Sequence, residues 1–262
     1  MKLIKIPAIN GLGKTDGCEK APDMIVENVK QFYLNEDGML PIFDVEDVEV
    51  NKSNIEETNN NISNKIKNSL ENTDKCFALG GDHSITYACF KAFSEKNENA
   101  GLLVFDAHAD LMHNFKPPTH EDYLRVLMED KLVKKENVVL VGLRNWHKDE
   151  YNFLKQNKMK YFNMKEISFE TLFEVSDAVM SSIKNFNALY ISIDIDVLDP
   201  SFAPGTGYRE PGGLTSRELL FFLGRLKLLK NLRMVDLVEV NPDKDLDGMT
   251  VKLGAKIITE LF

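Results

Sequence analysis

Short apolar segments rich in β-branched residues alternate along the chain with longer amphipathic segments. The apolar segments predict strands at residues 3–9, 42–50, 75–80, 101–106, 137–143, 160–164, 188–194 and 233–240. The amphipathic segments predict helices near residues 22–34, 54–72, 84–96, 120–132, 147–157, 168–185, 215–230 and 249–261.

This alternation indicates an α/β fold. The later strands are continuous apolar runs, which is typical of parallel strands buried on both faces. Strict strand–helix alternation predicts a parallel sheet with crossover helices on each side. The Asn-rich segment 51–69 keeps a thin apolar stripe at Ile55, Ile62 and Ile66, so we interpret it as an exposed helix. We therefore predict a single domain of residues 1–262.

The composition of the chain argues against some classes of binding partner. The chain has 32 basic and 41 acidic residues, a net charge of −9, which disfavours nucleic-acid binding because that binding depends on neutralising phosphates. No apolar run approaches the ~20 residues of a membrane span, and the N-terminus lacks a signal-peptide pattern. The three cysteines form no CxxC pair. We expect a cytoplasmic protein that acts on a small neutral or cationic molecule.

Chemically active residues follow four predicted strands, whose carboxyl ends meet at one edge of a parallel sheet. "GGDHS" (80–84) places His83 at the start of a helix, where it is either a metal ligand or a structural residue. "FDAHAD" (105–110) contains Asp106, His108 and Asp110, which would face one side of an extended chain. These three side chains form either a cation site or a solvated acidic turn.

The other two strand ends are also acidic. "SIDIDVLDP" (192–200) places Asp194 and Asp196 two residues apart, and "DLVEVNP" (236–242) places Glu239 inside an apolar strand just before its end. Glu239 needs either a cationic ligand or a structural lysine there. The Pro/Gly-rich loop 199–213 is longer than an ordinary turn, which is typical of functional loops.

Together, two histidines and four aspartates provide six ligands for two divalent ions. The four negative charges of the aspartates match the four positive charges of such a pair. Ligation dominated by oxygen, with some imidazole, favours Mn²⁺ over thiolate-bound zinc. A metal pair lowers the pKa of water and polarises the bond that is attacked. The sequence therefore predicts a hydrolase with two Mn²⁺ per chain.

These four segments, in this order, resemble the ureohydrolase superfamily of arginase, agmatinase and formimidoylglutamase. The similarity runs from about Gly80 to the C-terminus and includes "SIDIDVLDPSFAPGTGYREPGG" (192–213) and "EVNP" (239–242). It implies a three-layer α/β/α domain with an eight-stranded parallel sheet. It also implies a small cationic guanidino substrate and a homo-oligomer, either a trimer or a hexamer.

The resemblance also implies residue roles. One manganese would be held by His83, Asp106, Asp110 and Asp194, and the other by His108, Asp106, Asp194 and Asp196, so that Asp106 and Asp194 bridge. Glu239 would bind the guanidinium, and His120 would deliver a proton to the leaving amine. On its own, His120 could also be a plain helix-start residue.

The segment "NFKPPTHEDYLRVL" (114–127) departs from the patterns of both agmatinase and arginase. Glu121 and Asp122 replace small residues; one of them faces a second cationic group, or both stabilise the N-terminus of the next helix. His113 and His147 fit no motif and are assigned to the surface. We expect hydrolysis of agmatine to putrescine and urea. The alternatives are arginine, another guanidino or formimino substrate, a zinc amide hydrolase of the deacetylase type, and a non-catalytic member.

Overall fold

The computed structural model describes residues 1–261. Within that range the strands are β1 (Lys2–Ile6), β2 (Asp44–Asp47), β3 (Cys76–Gly80), β4 (Gly101–Phe105), β5 (Val138–Leu143), β6 (Lys160–Asn163), β7 (Leu189–Asp194) and β8 (Leu232–Val238). The α-helices are α1 (Ala21–Val29), α2 (Ile55–Asn72), α3 (Ile85–Lys96), α4 (Tyr123–Glu129), α5 (Lys148–Asn157), α6 (Met164–Phe169), α7 (Leu172–Ile183), α8 (Ser216–Leu226) and α9 (Met249–Glu260). None of these helices is long and apolar enough to cross a bilayer.

All eight strands belong to one parallel sheet. Their order is β2-β1-β3-β8-β7-β4-β5-β6. In the centre of the sheet, Ile193 of β7 pairs with Phe105 of β4 on one side and with Leu237 of β8 on the other. The carboxyl ends of these central strands are therefore neighbours, as the sequence predicts.

Apolar side chains cover both faces of the sheet. On one face, Phe105 packs edge-on against Phe222 of α8, in a core that also includes residues of α1, α7 and α9. On the other face, Tyr190 packs against Phe90 and Phe93 of α3, in a core shared with α2, α4 and α5. The predicted three-layer α/β/α architecture is confirmed.

The helix predicted over residues 168–185 is present as α7 (Leu172–Ile183), and a separate short helix that the sequence did not predict, α6 (Met164–Phe169), precedes it. Each of these two helices has its own capping box. The side chain of Asn163 accepts from the backbone N–H of Glu166, and the side chain of Thr171 accepts from that of Glu174. The cap at Thr171 starts α7 at Leu172, later than residue 168, where the apolar pattern predicts the start.

The turn between β3 and α3 depends on close backbone contact. A Cβ atom at Gly81 would lie 2.2 Å from the carbonyl oxygen of Ala8, a separation that real Cβ atoms do not reach. The backbone N–H of Gly81 also donates to the carbonyl of Ile6. A side chain at position 81 would therefore push the turn away from β1.

We expect Gly81→Ala to lower the free energy of unfolding by about 1–3 kcal/mol, because the added methyl group overpacks a site that cannot open. Gly224→Ala is the matched control, since Gly224 lies in α8 with no atom within 4 Å of its added Cβ. There, the better helix propensity of alanine stabilises by up to about 1 kcal/mol. Urea denaturation measures both changes, and equal effects at the two positions would contradict the packing argument.

Candidate metal centre

Six acidic or imidazole side chains meet where β3, β4 and β7 end. They are His83, Asp106, His108, Asp110, Asp194 and Asp196, all of which the sequence predicts as ligands. His83 follows β3 in the Gly-Gly turn, and Asp106 follows β4 directly. Asp196 lies in the 3₁₀ turn Ile195–Val197 that follows β7.

The six side chains form two clusters. In the first, Nδ1 of His83 lies 3.0 Å from Asp110 Oδ2, 3.1 Å from Asp106 Oδ2 and 3.3 Å from Asp194 Oδ2. In the second, Nδ1 of His108 lies 3.0 Å from Asp196 Oδ2 and 3.6 Å from Asp106 Oδ1. Asp106 therefore faces both clusters, with a different carboxylate oxygen toward each.

The convergence has a different local cause from the one expected. Strand β4 ends at Phe105, residues 106–110 belong to no strand, and Asp110 has a left-handed φ of 53°. The turn directs Asp110 toward His83 and His108 toward Asp196. The three side chains therefore serve two clusters instead of facing one side together.

The donor set fits divalent cations. Ligand atoms ~2.1 Å from an octahedral ion lie ~3.0 Å from one another, which matches the separations around His83 Nδ1. This nitrogen is buried and has no hydrogen-bond partner among residues 1–261. An unpaired nitrogen that faces three carboxylates is a suitable metal ligand, and octahedral oxygen-rich sites suit Mn²⁺ or Mg²⁺.

The electrostatics of the site also favour cations. Burial and the neighbouring Asp106 raise the pKa of Asp110 to about 8, and burial raises the pKa of Asp194 and of Asp196. Burial opposes the ionisation of Asp106 as well, but His108 and His83 outweigh it and lower the pKa of Asp106. Four carboxylates this close and this buried ionise together only when cations neutralise them.

A buried relay orients His83. Its Nε2 lies 2.9 Å from Ser192 Oγ, and the Ser192 hydroxyl donates to Asp236 Oδ1 at 2.6 Å. Because the only hydroxyl proton of Ser192 goes to Asp236, its oxygen accepts from the Nε2–H of His83. This holds a proton on Nε2 of His83, so Nδ1 is the nitrogen that would coordinate a cation among the three carboxylates.

Glu239 lies just beyond the end of β8, not within the strand as predicted. The strand ends at Val238, and Glu239 takes a left-handed φ of 63° while its N–H donates to Gly81. A non-glycine residue in this region is strained, a feature that clusters at functional sites. Its Oε1 accepts from the backbone N–H of His83 at 3.0 Å and lies 3.3 Å from Nδ1 of His120. Among residues 1–261 no lysine pairs with it.

His120 lies in the turn before α4, with its ring parallel to that of Tyr208 at 6.1 Å. Burial lowers the pKa of His120, but the hydrogen bond and charge of Glu239 outweigh this and raise it to about 9. The imidazole is therefore protonated at neutral pH.

Asp122 is not at the site. It is fully buried and accepts hydrogen bonds from Thr119 and from the N–H of Phe115, which closes the 115–122 turn. Glu121, in contrast, lines the cavity. Glu121 and Asp122 therefore have different surroundings, although the sequence analysis offers the same alternative roles for both.

The two clusters open into a cavity of about 290 Å³, close to the lower limit of small-molecule sites. Lining residues that the sequence analysis missed are Lys14, Met112, Asn145, Trp146, Glu150 and Tyr208. His147, predicted to be a plain surface residue, also lines it and caps α5 by accepting from Asp149. Asn145 and His147 follow β5. Polar residues after this fifth strand are the sequence feature that could have identified them as cavity residues.

The comparisons with known proteins agree with this geometry. The model of the family described as "Arginase family" matches residues 1–262. The chain belongs to the arginase family. This confirms the ureohydrolase resemblance and the expectation of a metal-dependent hydrolase of guanidino C–N bonds.

Named relatives carry different activities. The chain is 32% identical to the arginase of Staphylococcus aureus (strain COL) over 250 residues, which cover 90% of this chain and 80% of that protein. It is also 32% identical to the agmatinase of Bacillus subtilis (strain 168) over 234 residues, covering 88% and 75%. The crystal structure of formimidoylglutamase from Bacillus subtilis has a TM-score of 0.91 at 24% identity, covering 99% of this chain and 85% of that one, a likeness of fold.

We expect Ser192→Ala to lower Mn²⁺ affinity by about 10–100-fold, because His83 loses the partner that fixes its ring and tautomer. Ser63→Ala is the matched control: Ser63 is also buried and donates to Ala88, but it lies outside the site. Isothermal titration with Mn²⁺ measures both variants. Equal affinity in Ser192→Ala and wild type would contradict the relay.

Proposed function

We propose that the protein hydrolyses a guanidino compound to release urea, with two Mn²⁺ per chain, and that agmatine is its substrate. The observation that supports this most is the order of groups at the cavity. The two ligand clusters come first, followed by the carboxylate of Glu239, the imidazole of His120 and the carboxylate of Glu121. A linear molecule with a cation at each end matches that order.

The ligand roles combine the two clusters with the family resemblance, which alone adds Asp194 to the second set. One ion would be held by His83, Asp106, Asp110 and Asp194, and the other by His108, Asp106, Asp194 and Asp196. The two oxygens of Asp106, which face different clusters, support its bridging role. Two metal ions held in this way would act as Lewis acids that polarise the attacked bond, and they would lower the pKa of a bound water molecule. The separate His108 cluster favours this arrangement over a single zinc ion.

Glu239 would bind the guanidinium group. Its Oε1 is occupied by His83 and His120, whereas Oε2 has only a long contact from the thiol of Cys18, at 3.9 Å, among the hydrogen bonds of residues 1–261. Oε2 is therefore available to guanidinium N–H donors, and a carboxylate binds such planar donors with strong directional bonds. The fixed backbone of Glu239 would hold the reacting carbon beside the ligand clusters.

His120 would protonate the leaving amine. An amine leaves as a neutral molecule only if its nitrogen receives a proton as the C–N bond breaks. The raised pKa of His120 keeps a proton on the ring at neutral pH, and its Nδ1 is anchored by Glu239. Nε2 is the ring nitrogen that remains for the leaving group.

Glu121 would bind the distal ammonium group of agmatine. Both of its hydrogen bonds, from Lys14 and Tyr208, go to Oε1, and no group of residues 1–261 bonds to Oε2. A primary amine that reaches past His120 meets this free oxygen. This contact favours agmatine over guanidino compounds with an uncharged end.

Arginine is the second candidate, since Lys14 beside Glu121 offers opposite charges to an amino acid and a relative of this chain is named arginase. A formimino substrate, which would release formamide, is a third. We also propose that residues 1–262 act as one domain and assemble as trimers or hexamers, which size-exclusion chromatography tests.

We expect the Mn²⁺-loaded protein to release urea from agmatine. The assay compares agmatine, arginine, guanidinobutyrate, guanidinopropionate, guanidine and formimidoylglutamate, and it measures both urea and formamide. Asp106→Asn is the blank. Glu239→Gln should lower kcat/KM by about 10²-fold or more, because the guanidinium loses its charged partner.

Two outcomes would contradict the proposal. Formamide without urea would replace the guanidino substrate with a formimino one. Silence on every substrate, despite bound Mn²⁺, would mean that the cavity takes another class of molecule.

A further inference from the structure

The N-terminal loop of residues 11–15 is fixed at both ends beside the cavity. Oδ2 of the buried Asp82 accepts from the N–H of Asn10 at 2.6 Å and from Thr15 Oγ1 at 2.8 Å. The N–H of Lys14 closes a turn onto the carbonyl of Gly11. The loop therefore holds its tip, which includes Lys14, at the mouth of the cavity.

At this position the ammonium group of Lys14 forms an ion pair with the carboxylate of Glu121. Nζ lies 2.7 Å from Oε1, the oxygen that also accepts from Tyr208. The Lys14 side chain is 54% exposed and that of Glu121 is 28% exposed. Half-exposed ion pairs contribute little stability, so a competing cation can replace one partner.

The loop also allows Lys14 to move away. Gly13, which precedes it, has a left-handed φ of 83° and no neighbour within 4 Å of an added Cβ. The other cations near Glu121 are less free to exchange, because His120 is buried and bonded to Glu239. Lys244 contacts the backbone carbonyl of Lys14 and not the carboxylate.

We propose that Lys14 is a built-in competitor for the distal cation of the substrate. It neutralises Glu121 through Oε1 in the free protein, so the primary ammonium group of a guanidino-amine that approaches Oε2 competes with it for the single charge of this carboxylate. A substrate that lacks a distal cation leaves the Lys14–Glu121 pair intact and gains nothing from Glu121. The inference rests on the proposed function and adds the group that sets its selectivity.

The first test is Lys14→Met, which removes the competing charge and keeps the apolar stem. The KM for agmatine should fall by up to about 5-fold, the range that half-exposed pairs support. Glu121→Gln should raise this KM about 10-fold, since a charged hydrogen bond is lost. In the Glu121→Gln background, Lys14→Met should have no further effect, because the site of competition is gone.

A second readout needs no catalysis. Trp146 is the only tryptophan of the chain and lines the cavity, so its fluorescence reports occupancy. Titration with 1,4-diaminobutane should show tighter binding to Lys14→Met than to wild type. Lys20→Met is the matched control, since Lys20 pairs with Asp243 on the surface, with both side chains 53% exposed. It should change neither KM nor diamine affinity.

The outcomes separate this inference from the proposed function. No urea from any guanidino substrate would overturn the proposed function, and the diamine titration would still test Lys14. A higher or unchanged KM for agmatine in Lys14→Met would overturn the inference alone. A rise in KM confined to arginine and guanidinobutyrate would also overturn it, because Lys14 would then bind a substrate carboxylate.

Discussion

The structure depends on the placement of four aspartates at the ends of two adjacent central strands. Asp106 and Asp110 follow β4, Asp194 ends β7, and Asp196 lies just after it; all four are buried. Uncompensated, such charges oppose folding and one another. Divalent cations at the two clusters would remove that cost, so that one set of residues would support both the fold at this edge and the chemistry.

The surrounding residues hold this arrangement rigid. Ser192 and Asp236 lie on β7 and β8, inside the sheet, and they set the ring of His83. Glu239 links the end of β8 to the turn after β3 by two hydrogen bonds. Its backbone N–H donates to the carbonyl of Gly81, and its carboxylate accepts from the backbone N–H of His83. The proposed ligands therefore lie at the ends of fully buried strands, while Lys14 and Glu121, the groups proposed to meet the substrate tail, lie on loops.

The sequence predicts the parts of the site that local patterns encode. Each ligand motif follows an apolar run, so the sheet topology alone brings His83, Asp106 and Asp194 together. Single-sequence patterns do not reveal backbone reversals, so they predict Glu239 inside β8 and residues 106–110 as extended, whereas Glu239 and Asp110 have left-handed φ angles. Three-layer architecture was predictable for the same reason as the motifs: alternation of buried strands and amphipathic helices leaves few topologies.

Contacts between distant loops were not predictable. Lys14 and Glu121 lie 107 residues apart, and only the packing of two turns brings them within 2.7 Å. Tyr208 also contacts Glu121, from the loop of residues 199–213. The length of that loop predicts a functional role, but it does not predict which residues the loop contacts. The start of α4 was not predictable for the same reason. The pattern predicts a helix from residue 120, but a turn in which Asp122 accepts hydrogen bonds precedes the helix, which begins at Tyr123.

The most direct test of the account is the number of Mn²⁺ ions per chain, measured by anomalous diffraction from crystals of the wild type and two variants. Wild type should bind two ions. Asp196→Asn should keep the ion beside His83, because the carboxylate of Asp196 faces His108, whereas Asp106→Asn should weaken both sites. A single ion in the wild type, or an Asp106→Asn variant that loses no more metal than Asp196→Asn, would contradict a shared two-metal site.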